Sequence, residues 1–158
     1  MNMRRTCVIG ALVCVIAAVV SITAAAAPTA KQRIAIEERG DRNGTFKLIP
    51  LTPGPLKADA GTWMFLGDTQ LPTVIRNGQQ VTRYRGSDGF KGKYGTFRLS
   101  VVSFVVDAGG GFQAGTQTWS FRSGTGAYSG LGGGGAGAFV ATPHGGGGDR
   151  FEGYVTIP

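Results

Sequence analysis

The segment WSFRSGTGAYSGLG occupies residues 119–132. In its first part Trp119 and Phe121 alternate with polar residues, which is the pattern of a strand with one buried face. A glycine-rich corner follows, and after it a second, glycine-rich strand begins. Because glycines let a sheet bend sharply and close, the segment predicts a small antiparallel β-barrel. It contains no motif that predicts a chemical reaction.

The N-terminus has the pattern of a secretory signal peptide. Arg4 and Arg5 precede an almost entirely apolar run from Cys7 to Ile22, and small residues follow that run. Its length is that of a signal-peptide core and is short for a membrane span. We expect cleavage after Ala26, so that residues 1–26 are removed and the mature protein is secreted or periplasmic. An uncleaved N-terminal anchor is the alternative.

Removal of the signal peptide changes the composition of the chain. Both cysteines of the 158-residue sequence leave with it, and the net charge falls from +7 to +5, with fourteen basic and nine acidic residues left. The mature chain is therefore predicted to have no disulfide and no thiolate site. Its positive net charge predicts solubility and a weak attraction to acidic envelope polymers. No nucleic-acid partner is predicted. The chain is expected to be exported, and in a strand the Tyr84 side chain points to the face opposite its neighbouring arginines instead of lying among them.

The remaining chain predicts an all-β fold in one domain, residues 31–158. Strand patterns separated by turn residues recur about every ten residues, which favours a sandwich or a barrel. We predict a closed or nearly closed antiparallel barrel of about eight strands, in which the last strand pairs with the first. The strand patterns cover residues 31–38, 45–51, 61–66, 71–76, 79–85, 96–106, 116–122, 135–142 and 150–157.

The strongest turn signal is Asn77-Gly78, which suits a two-residue hairpin. That turn pairs Arg76 with Gln79 and places the nearby arginines on one face of the hairpin. We expect this face to lie outside, because a buried unpaired guanidinium is costly. The predicted surface basic patch consists of Arg76, Arg83 and Arg85.

Two further expectations concern turns and bulges. Ser87-Asp88-Gly89 predicts a turn, and Asp41, Asp107 and Asp149 are likewise placed in turns, where aspartate commonly accepts hydrogen bonds from backbone amides. In residues 96–106 the apolar residues switch from one face of the strand to the other near Val101-Val102. Either a β-bulge there or burial of both faces of the strand explains that change.

Three short segments resemble the allene oxide cyclase-like and dirigent-like barrels, and are most similar to bacterial secreted members of that group. They are Gly92–Leu99, Gly115–Phe121 and Ser123–Leu131. The resemblance implies an eight-stranded barrel with a central cavity. In the plant members, the cavity confines a hydrophobic or phenolic molecule and steers its cyclisation or coupling. No catalytic residue of that group has a counterpart that can be assigned in this sequence.

The residues themselves predict no catalytic site, no metal site and no cofactor. His144 is placed in an exposed loop, and Glu37 and Glu38 point to opposite faces of a strand, so they do not form a carboxylate pair. Three hypotheses remain: a barrel that binds a small hydrophobic ligand, a solid barrel with a structural or surface role, and an isomerase that works by confinement. For the first, the predicted lining residues are Trp63, Phe65, Tyr84, Phe97, Leu99, Trp119 and Phe121.

Overall fold

A computed structural model describes residues 30–158, and these residues form a closed antiparallel β-barrel. The predicted signal peptide, residues 1–26, lies outside the described residues. Within residues 30–158 there is no helix with the length and apolar character needed to cross a membrane. The strands are β1 (Ala30–Gly40), β2 (Asn43–Pro50), β3 (Asp59–Arg76), β4 (Gln79–Gly92), β5 (Gly95–Gly109), β6 (Phe112–Gly124), β7 (Gly132–Ala141) and β8 (Gly147–Ile157).

The barrel closes as predicted. Each strand pairs with its neighbours in the chain, and β8 pairs with β1 from Ala30 opposite Ile157 to Arg39 opposite Gly148. Closure pairs the first strand with the last, so neither is an edge strand. The β3–β4 hairpin extends beyond its neighbours, because β3 pairs with β2 only as far as Met64 and β4 pairs with β5 only from Thr82 onward. The barrel has two ends, which we call upper and lower. The upper end carries the β1–β2, β3–β4, β5–β6 and β7–β8 turns, and the lower end carries the other connections.

The Asn77-Gly78 hairpin has the predicted register, with Arg76 opposite Gln79 and Val74 opposite Val81. Asn77 and Gly78 have φ angles of 49° and 76°, as a type I′ turn requires. The predicted turn at Ser87–Gly89 is wrong, because these residues lie inside β4. Their partners across the sheet supply the backbone hydrogen bonds that a turn would otherwise provide.

The predicted bulge at Val101–Val102 is also wrong. The pairing of β4 with β5 is continuous there, and β5 shifts its register against β6 between Arg98 and Leu99 instead. Burial of both faces of the strand explains the pattern better, because Val101 is buried while Val102 and Phe104, on the outer face, are half-buried. Part of that cover comes from the guanidinium of Arg76, which lies 4.4 Å from the centre of the Phe104 ring.

An aromatic cluster fills the lower half of the barrel. The Phe97 ring stacks on Phe90 with a centroid distance of 4.4 Å and meets the rings of Phe46, Phe121 and Tyr128 within 5.6 Å. All five side chains are buried. Such rings contribute both buried area and favourable edge-to-face contacts. The lower half is therefore a packed core.

Two hydrogen-bonded groups cap this core at the lower end. The buried amide of Gln32 donates to the carbonyl oxygens of Thr52 and Leu56 and accepts from the Leu56 amide, which fixes the β2–β3 loop. The Tyr128 hydroxyl, in the 3-10 turn between β6 and β7, donates to Asp59 Oδ2 at 2.6 Å. Although partial burial opposes ionisation, this bond and backbone amide donors hold the pKa of Asp59 below its usual value.

The glycine-rich β7–β8 wall makes room for Trp119. Gly135 and Gly153 are direct partners across the two strands, and Gly135 is also the partner of Trp119 on β6. A Cβ on Gly135 would overlap the carbonyl oxygen of Glu152. The indole Nε1 of Trp119 donates to the carbonyl oxygens of Ala136 and Glu152, both at 3.3 Å. Small and large inward residues thus alternate around the barrel, as its narrow interior requires.

Candidate functional site

The upper half of the barrel contains a cavity of about 430 Å³, which we call the cup. Its rim includes the exposed residues Asp41 and Arg42 of the β1–β2 turn and residues 146–148 at the start of β8. Inward side chains from seven of the strands, all except β2, form its wall and floor. They are Glu38, Trp63, Phe65, Tyr84, Asp88, Val101, Ser103, Val105, Gln117, Phe139 and Asp149.

Three of the predicted lining residues border the cup. Trp63 is buried and its Nε1 donates to the carbonyl oxygen of Arg39 at 3.2 Å, while Phe65 and Tyr84 are half-buried on the wall. The structure places the other four in the packed core: Phe97, Leu99, Trp119 and Phe121. The predicted set therefore divides between the two halves of the barrel, and its role in ligand binding stays a prediction.

The floor of the cup carries three carboxyl groups. Glu38 on β1 and Asp149 on β8 are direct partners across the closing strand pair. Asp88 on β4 is the partner of Phe65 and is buried. Gln117 on β6 lies beside them, and its Nε2 donates to Asp149 Oδ2 at 3.1 Å. The prediction that Asp88 and Asp149 lie in turns is wrong, because both are strand residues that face the interior.

Glu38 is the least satisfied of these groups. Its side chain is only 2% exposed, and neither carboxyl oxygen has a hydrogen-bond partner. The Oε1 of Gln117, a residue that is 7% exposed, also lacks a partner. Buried polar atoms are usually hydrogen-bonded, so unpartnered ones call for an explanation. Here they belong to two residues that line the cup.

Burial and mutual repulsion keep protons on this floor. Burial, followed by the charges of Asp88 and Asp149, raises the pKa of Glu38 to about 10. Burial, followed by the charges of Asp149 and Asp68, raises the pKa of Asp88 to about 7. Burial also raises the pKa of Asp149, against the effect of the hydrogen bond from Gln117. At neutral pH Glu38 is therefore a neutral carboxylic acid, and Asp88 is close to half-ionised.

A β-bulge in β3 brings a further carboxylate to the rim. Phe65 is the partner of Asp88, but the next inward residue of β4, Gly86, has Asp68 as its partner rather than Gly67. One extra residue in β3 thus shifts the alternation and turns Asp68 toward the cup, which it lines. Gly67 sits in the bulge with a φ angle of +118°, a conformation that L side chains rarely adopt.

Replacement of Gly67 by alanine is expected to lower the free energy of unfolding by about 2 kcal/mol, because the bulge needs this positive φ angle. Urea unfolding measures the change. The control is Gly146→Ala, where φ is ordinary and an added Cβ would approach no atom more closely than Thr142 Oγ1 at 3.4 Å. We expect the control to stay within about 0.5 kcal/mol of the wild type. Equal stability of the two variants would contradict the role assigned to Gly67.

Acidic residues are concentrated at the cup. Five of the nine line it, against one of the fourteen lysines and arginines within residues 30–158. That one is Arg42, whose guanidinium lies 5.9 Å from the centre of the Phe65 ring. Within residues 30–158, no group of three or more His, Cys, Asp or Glu side chains is placed to hold a metal ion. The five acidic residues are Glu38, Asp41, Asp68, Asp88 and Asp149.

The other predicted sites lie outside the barrel interior. Arg76 and Arg85 are exposed and Arg83 is half-buried. Arg76 and Arg83 both pack against Phe104, whereas Arg85 borders a separate shallow depression. His144 is exposed in the β7–β8 turn. The role of the arginines in attracting acidic polymers stays a prediction.

A second, wider depression of about 800 Å³ lies on the outer surface of β2–β6. Met64 and Leu66 form its exposed apolar part, with 54% and 41% of their surfaces accessible. No residue with an unpartnered buried side-chain atom borders it among the described residues. The cup combines enclosure with buried polar groups, so it is the stronger candidate for a specific site.

No pattern in the sequence brings Glu38, Asp88, Asp149 and Gln117 together in one site. A usable signal existed for Glu38, because it keeps the inward alternation of Ile34 and Ile36 in β1. An acidic residue at the end of a buried apolar series indicates an interior polar site. Its partners come from other strands and depend on the register of the closed sheet.

Comparison of this chain with protein-family models, with curated proteins and with solved structures finds no match. The geometry and chemistry of the cup are therefore the basis for assigning a function.

Proposed function

We propose that this protein binds a small molecule in the cup, one with an apolar body and a polar group. The observation that carries the proposal is the set of unpartnered oxygens, two on Glu38 and one on Gln117, on the floor of a cavity of about 430 Å³. Ligand sites in proteins combine apolar walls with a few polar groups that orient the ligand, and this volume is in the usual range. The apolar body would lie against Trp63, Phe65 and Phe139.

This proposal develops the first of the three hypotheses from sequence, the hydrophobic ligand, by adding a polar group to that ligand. The second hypothesis, a solid barrel, suits the aromatic lower half but offers no role for a cavity lined by buried carboxyl groups. Burial of such groups costs folding free energy when they are unpaired. The barrel nevertheless keeps such carboxyl groups at a cavity, which supports a binding role for its upper half.

A substitution that fills the cup tests the proposal. Ser103 faces the cup between Tyr84 and Gln117, so Ser103→Trp is expected to occupy the space of a ligand and to lower ligand affinity at least about tenfold. The matched control is Ser100→Trp, the same change on the outer face of β5. Ala141→Phe, at the rim, is a second filling variant if Ser103→Trp does not fold.

The measurement is a titration followed by NMR of the two indole N–H groups. The chain contains two tryptophans: Trp63 borders the cup and also the outer depression, and Trp119 borders neither. Loss of a Trp63 shift in Ser103→Trp assigns the bound probe to the cup. The probes are phenol, propylbenzene, 2-phenylethylammonium and 3-phenylpropionate. We expect at least one probe to shift the Trp63 signal more than the Trp119 signal, with a dissociation constant of about 1 mM or lower. If no probe does so in the wild type, the proposal is wrong.

One observation favours the third hypothesis, isomerisation by confinement, as a second candidate. Glu38 and Asp88 face the same cavity with pKa values of about 10 and about 7. Groups whose pKa values are separated in this way suit the roles of general acid and general base. Stereochemically biased turnover of an unstable epoxide, lost in Asp88→Asn, would favour catalysis over simple binding. Export through residues 1–26 stays a prediction in either case.

A further inference from the structure

We propose that the ligand of the cup carries an ammonium group, which binds between Glu38, Asp88 and Asp149 while its apolar body contacts the aromatic wall. This inference rests on the proposed binding function and names the chemical class of the ligand. It is carried by two independent observations. One is the distribution of charge around the cup, and the other is the state of the buried floor atoms.

The charge distribution favours a cation over an anion. The chain has an excess of basic residues, yet five of its nine acidic residues line this one cavity. The one basic side chain in the lining, Arg42, is exposed at the rim and packs on Phe65. In a partly enclosed site such charges interact more strongly than in water. A positively charged group entering the cup is therefore attracted, and an anion is repelled.

The unpartnered atoms on the floor are mainly acceptors. The two carboxyl oxygens of Glu38, which is 2% exposed, and the Oε1 of Gln117 have no hydrogen-bond partner. The Nε2 of Gln117 already donates to Asp149. An ammonium group offers three donors and no acceptor, so it complements this set. A neutral ether or ketone accepts from the protonated carboxyl group of Glu38 but leaves the Oε1 of Gln117 without a donor.

The aromatic wall suits the same ligand. Trp63, Phe65 and Tyr84 border the cup on the side of Asp88. The faces of aromatic rings attract cations, and the attraction is greater where water is excluded. The wall therefore accommodates both the apolar body of the ligand and the carbon atoms next to its charged nitrogen.

Binding of a cation is coupled to release of protons. Glu38 holds its proton at neutral pH and Asp88 is about half-protonated, because burial and neighbouring acidic charges oppose their ionisation. Burial also raises the pKa of Asp149. An ammonium group offsets both effects and favours the ionised forms. The charged and titratable groups that face the floor from the surrounding strands and rim are Asp41, Arg42, Asp68 and Tyr84. Affinity for a cation is thus expected to rise with pH.

The test compares three probes of nearly equal shape and different charge: 2-phenylethylammonium, propylbenzene and 3-phenylpropionate. At pH 7.5 we expect the ammonium probe to bind at least about tenfold more tightly than either of the others. Its affinity is expected to rise about three- to tenfold per pH unit between pH 6 and 8, where an alkylammonium group stays protonated. Calorimetry in buffers of different ionisation enthalpy is expected to show release of protons on binding.

Two variants locate the ammonium group. Glu38→Gln preserves the shape of the protonated side chain but cannot ionise, and it is expected to lower affinity for the ammonium probe about tenfold and to leave propylbenzene affinity within about twofold. Asp149→Asn is expected to act in the same direction. The matched control is Glu37→Gln, one residue away on the outer face, where Glu37 forms an ion pair with Arg150. That control is expected to bind all three probes like the wild type.

The outcomes separate this inference from the proposed function. If propylbenzene shifts the Trp63 signal and binds as tightly as the ammonium probe, the ammonium inference is overturned and binding in the cup stands. If no probe shifts that signal, both are overturned. If the ammonium probe binds preferentially but Glu38→Gln and Asp149→Asn bind it like the wild type, the placement of its charge on this floor is overturned.

Discussion

Replacement of Glu38 by glutamine is expected to raise the free energy of unfolding at pH 7 by about 3 kcal/mol. In the folded barrel the pKa of Glu38 is about 10, against 4.5 for an ordinary glutamate. Below pH 4.5 both states hold the proton and the carboxyl group carries no penalty. As pH rises from 4.5 toward 10, the unfolded state ionises first, so the wild type loses stability throughout this window. Glutamine has no proton to lose, and the penalty disappears.

Urea unfolding of the wild type and of Glu38→Gln at pH 4.5, 7 and 9 measures this effect. The gap between the two proteins is expected to be near zero at pH 4.5 and to widen with pH. Asp88 and Asp149 add losses of the same sign in both proteins, because their pKa values are raised as well. Glu37→Gln, the outward control, is expected to change stability by about 1 kcal/mol or less. A variant less stable than the wild type at pH 9 would show that Glu38 is ionised and paired in the fold.

Replacement of Phe97 by alanine is expected to lower the free energy of unfolding by about 4 kcal/mol. The Phe97 side chain is 2% exposed and its ring contacts four other aromatic rings. Removal of a buried phenyl ring costs its transfer free energy and also the energy of the cavity left behind. The closed sheet around the cluster restricts how far the remaining rings can collapse into that space.

Phe104→Ala is the matched control for Phe97→Ala. Phe104 lies on the same strand but on the outer face, where it is half-buried under Arg76 and Arg83. We expect a loss of about 1 kcal/mol there, from partial burial and the cation–π contacts. Denaturant titrations at one pH compare the two variants. Similar losses at the two positions would contradict the assignment of Phe97 to a densely packed lower half.

Local patterns in the sequence predicted much of the barrel. The alternation of Trp119 and Phe121 with polar residues placed these two side chains inside, and both are buried. Asn77-Gly78 predicted a hairpin and its register, because few residue pairs tolerate the φ angles of that turn. Both features depend on neighbours within a few residues of the chain, so they are visible without any knowledge of the third dimension.

The candidate site was less accessible, for two physical reasons. Glu38 and Asp149 are partners only because of the register in which the first strand pairs with the last, and no local pattern specifies that register. Asp88 stands between a serine and a glycine, a composition typical of turns, but tertiary pairing on both sides holds it in a strand. Asp68 reaches the cup only through the bulge at Gly67.

The sequence by itself determined that the chain forms antiparallel strands with one buried face and that these strands can close, because alternation and turn chemistry act over short stretches. Only the tertiary structure decided that the interior has two halves, an aromatic core around Phe97 and an acidic cup around Glu38. The physical reason is that closure sets which inward residues of distant strands meet at each level of the barrel. These residues are buried and repel each other only because the closed barrel brings them together. In the unfolded chain they are solvated and far apart.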